Sequence, residues 1–270
     1  VPEAAGLYYE LHGPPAGEPL ILSSGLGGSA HYWRPNLDAF AERFRVLLYD
    51  HRGTGRSDRM LPEMVSIEDM ADDVIALMDA IGIDRAHFVG HAIGGMIGMA
   101  IALKARDRLR RLMVINGWAR LEPHTGRCFD ARLALLRDGG PQAYAAAQSI
   151  FLFPADWIAL HEEDVAAMAR ATVEHFPEIA TLERRIAAAR SFDILDRIGE
   201  IGTALLAVCA SDDVLVPSMA STRIVDHLSP FNGGTEVTMR WGGHACNVTD
   251  PESFHHFALA WLAGQNLIEE

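Results

Sequence analysis

One seven-residue stretch limits what this chain can fold into: Val89-Gly90-His91-Ala92-Ile93-Gly94-Gly95. An apolar run, Ala86–Val89, leads into it, and a second apolar stretch, Ile93 to about Arg106, leaves it. The form is that of a nucleophile elbow, G-x-S-x-G, a sharp strand-to-helix turn that presents one side chain at the top of a sheet. Gly90 and Gly94 suit the turn, because bulk there would clash with a strained backbone. The presented side chain here is a methyl group. Ala92 cannot attack a carbonyl, so either the chemistry runs without a covalent acyl-enzyme or the chain is a disabled enzyme.

The surrounding pattern alternates strand with helix. Leu7–Leu11 reads as a short strand, and Leu20–Ser23 as a buried one ending in Ser24-Gly25-Leu26-Gly27-Gly28-Ser29. Arg45–Tyr49 is the next strand. Ser66 caps a helix with Asp69 three residues on, a capping box with Asp in place of Glu. Met70, Val74, Leu77, Met78 and Ile81 recur along it at helical spacing, and Gly82 ends it. Ala86–Val89 is a strand, Ile93 to about Arg106 a helix apolar nearly all round and therefore buried, and Arg111–Ile115 a strand. Such an order implies a mostly parallel sheet with helices on both faces. From about Ala119 to Arg197 the chain is helical and alanine-rich. Strand texture resumes at Ala204–Ala210 and Glu236–Arg240, with helices at Pro217–Leu228 and Pro251–Ala263. An all-helical block inside an α/β pattern reads as a cap, which divides the chain into a core of residues 1–118 and 198–270 and a helical cap of residues 119–197.

Composition narrows the function classes. The 270 residues suffice for one large α/β domain with an insertion, and 49% hydrophobic content is ordinary for a globular protein. A formal net charge of −13 argues against nucleic-acid or anionic-membrane partners, and a small-molecule partner is expected. Cys128, Cys209 and Cys246 are widely spaced, with no metal or disulfide framework, which fits a reducing, cytoplasmic setting. The N-terminal residues are too polar for a signal peptide, and apolar stretches stop well short of the ~20 residues of a membrane span. No cofactor or metal is expected; the sequence does not show oligomeric state, although homodimers are common for such domains.

Three further motifs fall in register with the elbow. The loop Ser24–Gly28 would supply one oxyanion donor from Leu26 N–H, and Ile93 N–H the other. Two such backbone donors survive the loss of a serine, and each is worth about 3–4 kcal/mol. Ser24 supports the loop or faces substrate. Ser211-Asp212-Asp213 after a strand and before Val216-Pro217 is the setting of a triad acid. Asp213 matches that position better, with Asp212 as the fallback and a helix-capping or turn role for the other. Gly242-Gly243-His244, late in the chain, completes the order nucleophile, acid, histidine. His91 takes a supporting role, and His255 and His256 are surface or packing residues. Asp50-His51-Arg52-Gly53-Thr54-Gly55-Arg56-Ser57 reads as a structural turn. Together these motifs specify an α/β-hydrolase fold with an inserted helical cap.

The run Gly242-Gly243-His244-Ala245-Cys246-Asn247-Val248-Thr249-Asp250-Pro251 resembles the C-terminal signature of the RutD family of α/β-hydrolases. So do Asn116-Gly117-Trp118, His124-Thr125, Arg127-Cys128-Phe129, Phe153–Trp157, Ser24–Ser29 and Ala210–Asp213, and the similarity spans nearly the whole chain. The family also carries G-H-A-x-G at the elbow. The resemblance implies hydrolysis of a carbamate or of 3-aminoacrylate in the use of uracil and other pyrimidines as nitrogen sources. Trp118, His124 and Asn247 are candidates to line the pocket, and Arg120 and Arg127 to pair with a substrate carboxylate. An imidazole ordinarily titrates near ~6.5, which suits His244 as a general base acting on a water between it and Ala92. Two other readings remain: a serine esterase whose serine has been replaced at Ala92, and a non-catalytic binder, which has no need for Asp213 and His244 to meet.

Overall fold

The computed structural model describes residues 2–229, 234–265 and 267. Eight strands form one sheet: β1 (Glu3–Ala4), β2 (Leu7–His12), β3 (Glu18–Ser23), β4 (Phe44–Tyr49), β5 (Ala86–His91), β6 (Leu109–Ile115), β7 (Ala204–Ala210) and β8 (Thr235–Met239). Their order is β1-β2-β4-β3-β5-β6-β7-β8. The first two strands pair antiparallel, as do β2 and β4; every later pairing is parallel.

The inner strands are apolar on consecutive residues because both faces of the sheet are covered. Alternate side chains enter two separate cores. Ile21, Leu47, Phe88, Leu112, Val114, Leu205 and Ala207 face one; Leu20, Leu22, Val46, Leu48, Val89, Met113, Leu206 and Val208 face the other. The first core is closed by α2 (Ile67–Ala80) and α3 (Ile93–Lys104), the second by α1 (Arg34–Ala41) and α10 (Pro251–Leu262). Two shorter helices, α8 (Met219–His227) and α9 (Cys246–Thr249), flank the last strand. The cap of α2 is as expected: Ser66 Oγ accepts from Asp69 N–H at 3.0 Å, while Asp69 accepts from Ser66 N–H at 2.8 Å. Ten of the twelve residues of α3 are buried, from Ile93 through Ala102, which explains its all-round apolar sequence.

Helix α1 had no expectation attached to it. Its eight residues bury only Asn36, Leu37 and Phe40, too short a pattern to register as a period.

Between β6 and β7 the chain is helical: α4 (Pro123–Leu152), α5 (Ala155–Leu160), α6 (Glu162–Glu174) and α7 (Ile179–Ser191). Helix α4 breaks at Gly140, whose φ of 71° precedes Pro141. The two ends of the segment are tied together. Ile194 N–H donates to Ala119 O at 2.8 Å, and Arg120 Nε donates to Asp193 at 2.7 Å. Among the described residues no helix is long and apolar enough to cross a membrane.

Candidate active site

The four motifs converge at the carboxyl ends of β3, β5, β7 and β8, the edge of a parallel sheet where ligands bind. The elbow follows β5. Ala92 adopts φ 48° and ψ −113°, a conformation L residues rarely take, and its N–H donates to Ile115 O at 2.8 Å. The flanking glycines are demanded by backbone approach. A Cβ at Gly90 would collide with the backbone of Gly94, and one at Gly94 with the backbone of Ser23. The strained turn of a nucleophile elbow is therefore present in full, with a methyl group at its apex.

Asp213 and His244 meet. His244 Nδ1 lies 2.8 Å from Asp213 Oδ2, with both side chains buried. Asp213 Oδ1 accepts from Leu215 N–H at 2.8 Å and Val216 N–H at 2.9 Å, so both carboxylate oxygens are held. Asp212 does different work: it accepts from Gly243 N–H at 2.9 Å and Gly242 N–H at 3.3 Å. One acid thus faces the imidazole, and its neighbour pins the glycine turn that carries the imidazole. Because Nδ1–H is committed to Asp213, Nε2 is the nitrogen left to exchange a proton.

The backbone of His244 is gripped from two sides. Asn116 Nδ2 donates to His244 O at 2.6 Å, and His91 Nε2–H donates to the same oxygen at 2.8 Å. Asn116 holds a positive φ of 50° just after β6 to do this. His91 stacks on Tyr32 at 4.7 Å and meets the His244 ring edge-on at 4.8 Å. Burial keeps its pKa well below the ordinary histidine value, with the nearby His244 adding to the effect, so His91 is a neutral strut. Asn116 entered the sequence reading only as part of a family-like triplet. Its signal, a polar residue at the carboxyl end of a parallel strand, was available there.

The loop Ser24–Gly28 nests against the elbow. A Cβ at Gly25 would sit 2.9 Å from His91 Nδ1 and 3.5 Å from the Ala92 Cβ, which puts Leu26 one residue from the apex. Ile93 begins α3, where N–H groups have no intrahelical acceptor. Ser24 is buried, yet its Oγ has no partner among the described residues, so it does not brace the loop.

The remaining candidates separate. Arg120 is partly exposed and bonded to Asp193 at 2.7 Å and Asp196 at 3.0 Å, a clasp at the base of the helical segment rather than a free cation for substrate. Arg127 is exposed on α4. Asn247 is fully buried beneath the site. It accepts from Tyr32 Oη at 2.7 Å and donates to Asn36 Oδ1 at 3.0 Å, which makes it a framework residue. His124 Nε2–H donates to Val214 O at 2.8 Å, strapping the start of α4 to the loop that carries Asp213. Trp118 is buried and packs edge-on against Phe129 at 6.1 Å. The turn at Asp50 is structural as read: Asp50 accepts from Ala30 N–H at 2.8 Å and pairs with Arg56 at 2.8 Å.

A buried arginine that sequence reasoning missed stands beside the loop. Arg185, on α7, is 1% exposed and donates from Nη2 to His51 Nδ1 at 2.8 Å. Nothing in Glu183-Arg184-Arg185-Ile186 distinguishes it from the surface cations around it.

Comparison with known proteins places this geometry. The description of the alpha/beta hydrolase fold matches residues 18–251. A Caulobacter vibrioides protein called "Putative carbamate hydrolase RutD" is 48% identical over 261 residues, covering 96% of this chain and 96% of that one. Its namesake in Variovorax paradoxus is 46% identical over 261 residues, covering 95% and 96%. Among solved structures, a hydrolase from Pseudomonas aeruginosa PA01 superposes with a TM-score of 0.85 at 28% identity, covering 95% of this chain and 94% of that one. The enol-lactonase from Burkholderia xenovorans LB400 gives 0.86 at 25% identity, covering 95% and 96%. With the fold matched over most of its length and relatives sharing nearly half its residues end to end, the chain belongs to the RutD family of α/β-hydrolases.

Proposed function

We propose that this chain hydrolyses a small C–N substrate, a carbamate or 3-aminoacrylate, in the use of pyrimidines such as uracil for nitrogen, and that His244 activates water directly. One observation carries the reading. The Asp213–His244 pair is assembled at 2.8 Å with every carboxylate oxygen held, while the adjoining elbow, whose His91 bonds the His244 carbonyl, bears only a methyl group. A binder has no use for that pair. The relatives' printed name, carbamate hydrolase, supports a C–N substrate.

With Nδ1–H fixed on Asp213, His244 Nε2 removes a proton from a water standing where a serine oxygen would be. Asp213 holds the tautomer and stabilises the imidazolium that forms. On a carbamate, the hydroxide adds to the carboxyl carbon, Leu26 and Ile93 N–H groups take the developing oxyanion, and the imidazolium returns its proton to the leaving nitrogen. Ammonia and bicarbonate result. On 3-aminoacrylate, His244 in its protonated form first protonates the carbon next to the carboxylate. Water then adds to the resulting iminium carbon, and ammonia leaves to give the aldehyde. Residues 119–197 act as the cap that keeps bulk water from either intermediate.

The test is product NMR on freshly generated carbamate and 3-aminoacrylate, with and without protein. The wild type should accelerate decay of one of them, and His244→Ala should reduce that rate to background. An unchanged rate in the variant would remove the base role.

A further inference from the structure

Arg185 has an electrostatic deficit that no described residue repairs. Its guanidinium is buried, and burial is the main cause that pulls its pKa down to about 10. Nη2 donates to His51 Nδ1 at 2.8 Å and weakly to Gly25 O at 3.4 Å. Nε and Nη1 have no acceptor, so three N–H bonds stand unmatched among the described residues. The His51 partner accepts through a lone pair and is neutral, because burial and the adjacent guanidinium push its pKa well below the ordinary value. It offers no opposite charge. Burying a cation unpaired is expensive, and such a group in the wall of a cleft marks a candidate ligand site.

The space for a ligand is present. A cavity of about 250 Å³ adjoins the guanidinium, walled by Tyr49, His51, Leu61, Met70 and Ile97. Its other charged groups are already paired. Arg52 is bound to Asp73 at 2.8 Å, Asp72 to Lys104 at 2.5 Å, and Asp69 to its own helix cap at Ser66. Arg185 is thus the charged group on this cavity whose buried donors stand unmatched among the described residues. The oxyanion loop makes room for it. A Cβ at Gly28 would sit 2.6 Å from Nη1, and the same loop touches Ala92 through Gly25.

We infer that this cavity binds a small organic carboxylate on Arg185. The three aspartates around the wall oppose a second negative charge, which favours a monoanionic carboxylate over phosphate. The role as part of a substrate rests on the hydrolase reading above; the anion site itself does not.

Titration calorimetry with acetate and inorganic phosphate on the full chain tests it. The wild type and His244→Ala should bind acetate saturably, with phosphate at least tenfold weaker. Arg185→Lys should lose about tenfold, and Arg185→Gln a hundredfold or more, with a melting temperature equal to or above the wild type because an unpaired buried charge has gone. Leu61→Trp, which fills the cavity and leaves Arg185 in place, should lose binding as well. If acetate raises KM for the hydrolysed substrate without lowering kcat, the carboxylate is the substrate's own; if it binds without competing, the source is a free anion. No saturable binding in the wild type, or equal binding in a folded Arg185→Gln, overturns the site. Loss of hydrolysis in His244→Ala with Arg185-dependent binding intact separates the two ideas.

Discussion

Ala92 keeps a backbone conformation that costs about 1–3 kcal/mol in an L residue, although no nucleophile remains to use it. The turn is fixed by backbone approach, Gly90 on Gly94 and Gly94 on Ser23, and not by the side chain at its apex. An Ala92→Ser variant should therefore fold normally and place Oγ against His244. Stopped-flow hydrolysis of p-nitrophenyl acetate should then show an acyl-enzyme burst, while turnover of the C–N substrate drops at least tenfold because Oγ displaces the water. A variant with no burst and undiminished C–N turnover would show that the apex does not face the imidazole. The two neighbouring acids separate at this scale too. Asp213→Asn should cut kcat by about two to four orders of magnitude, as loss of the orienting carboxylate does in related dyads. Asp212→Asn still accepts a bond from the Gly243 N–H and should lose less than tenfold. Comparable losses in the two variants would contradict the division of labour seen in their hydrogen bonds.

The elements that carry the site are short turns whose geometry is enforced by contact. Gly94 packs on the backbone of Ser23, whereas a Cβ at Gly27 would meet nothing within 4 Å. Gly94→Ala should cost more than ~3 kcal/mol in urea unfolding, and Gly27→Ala should stay within about 1 kcal/mol of wild type. The inner strands and helices α2 and α3 were legible because burial on both faces leaves unbroken apolar runs and the capping box marks a start, whereas the two-residue β1 carried no such run. Helix α1 was not, since three buried residues in eight make no period. Asn247 and Arg120 were assigned to the pocket from their neighbourhood in the chain. Their partners, Asn36 and Tyr32 for one and Asp193 and Asp196 for the other, lie far away in sequence and decide otherwise.

At the scale of the molecule, two neutral histidines sit at the centre of the structure. His51 and His91 both have pKa values pushed well below the ordinary value, mainly by burial. In the unfolded chain each takes up a proton below about pH 6.5, while the folded form resists it. The unfolded state then binds more protons, so stability falls as pH drops from about 6.5 toward the depressed folded values. Each histidine contributes a slope of ~1.4 kcal/mol per pH unit in that window. Urea unfolding at pH 7, 6 and 5 should show this loss, with little change between pH 7 and 8. A flat profile down to pH 5 would mean that both rings are protonated in the folded state as readily as in the unfolded chain.

The sequence alone determined the architecture, singled out His244, and narrowed its acid partner to Asp213 with Asp212 as the fallback. Glycine spacing, apolar runs and chain order are local properties, and each constrains the backbone by sterics that act over a few residues. It also determined that the elbow would hold no nucleophile. Only the tertiary structure decided which acid faces His244 and which braces its turn, because that depends on where β8 and its following turn lie against this loop. It alone picked Arg185 out of the chain's arginines. Burial without a counter-charge is a relation among α7, the oxyanion loop and the end of β4, and those segments meet only in the folded molecule.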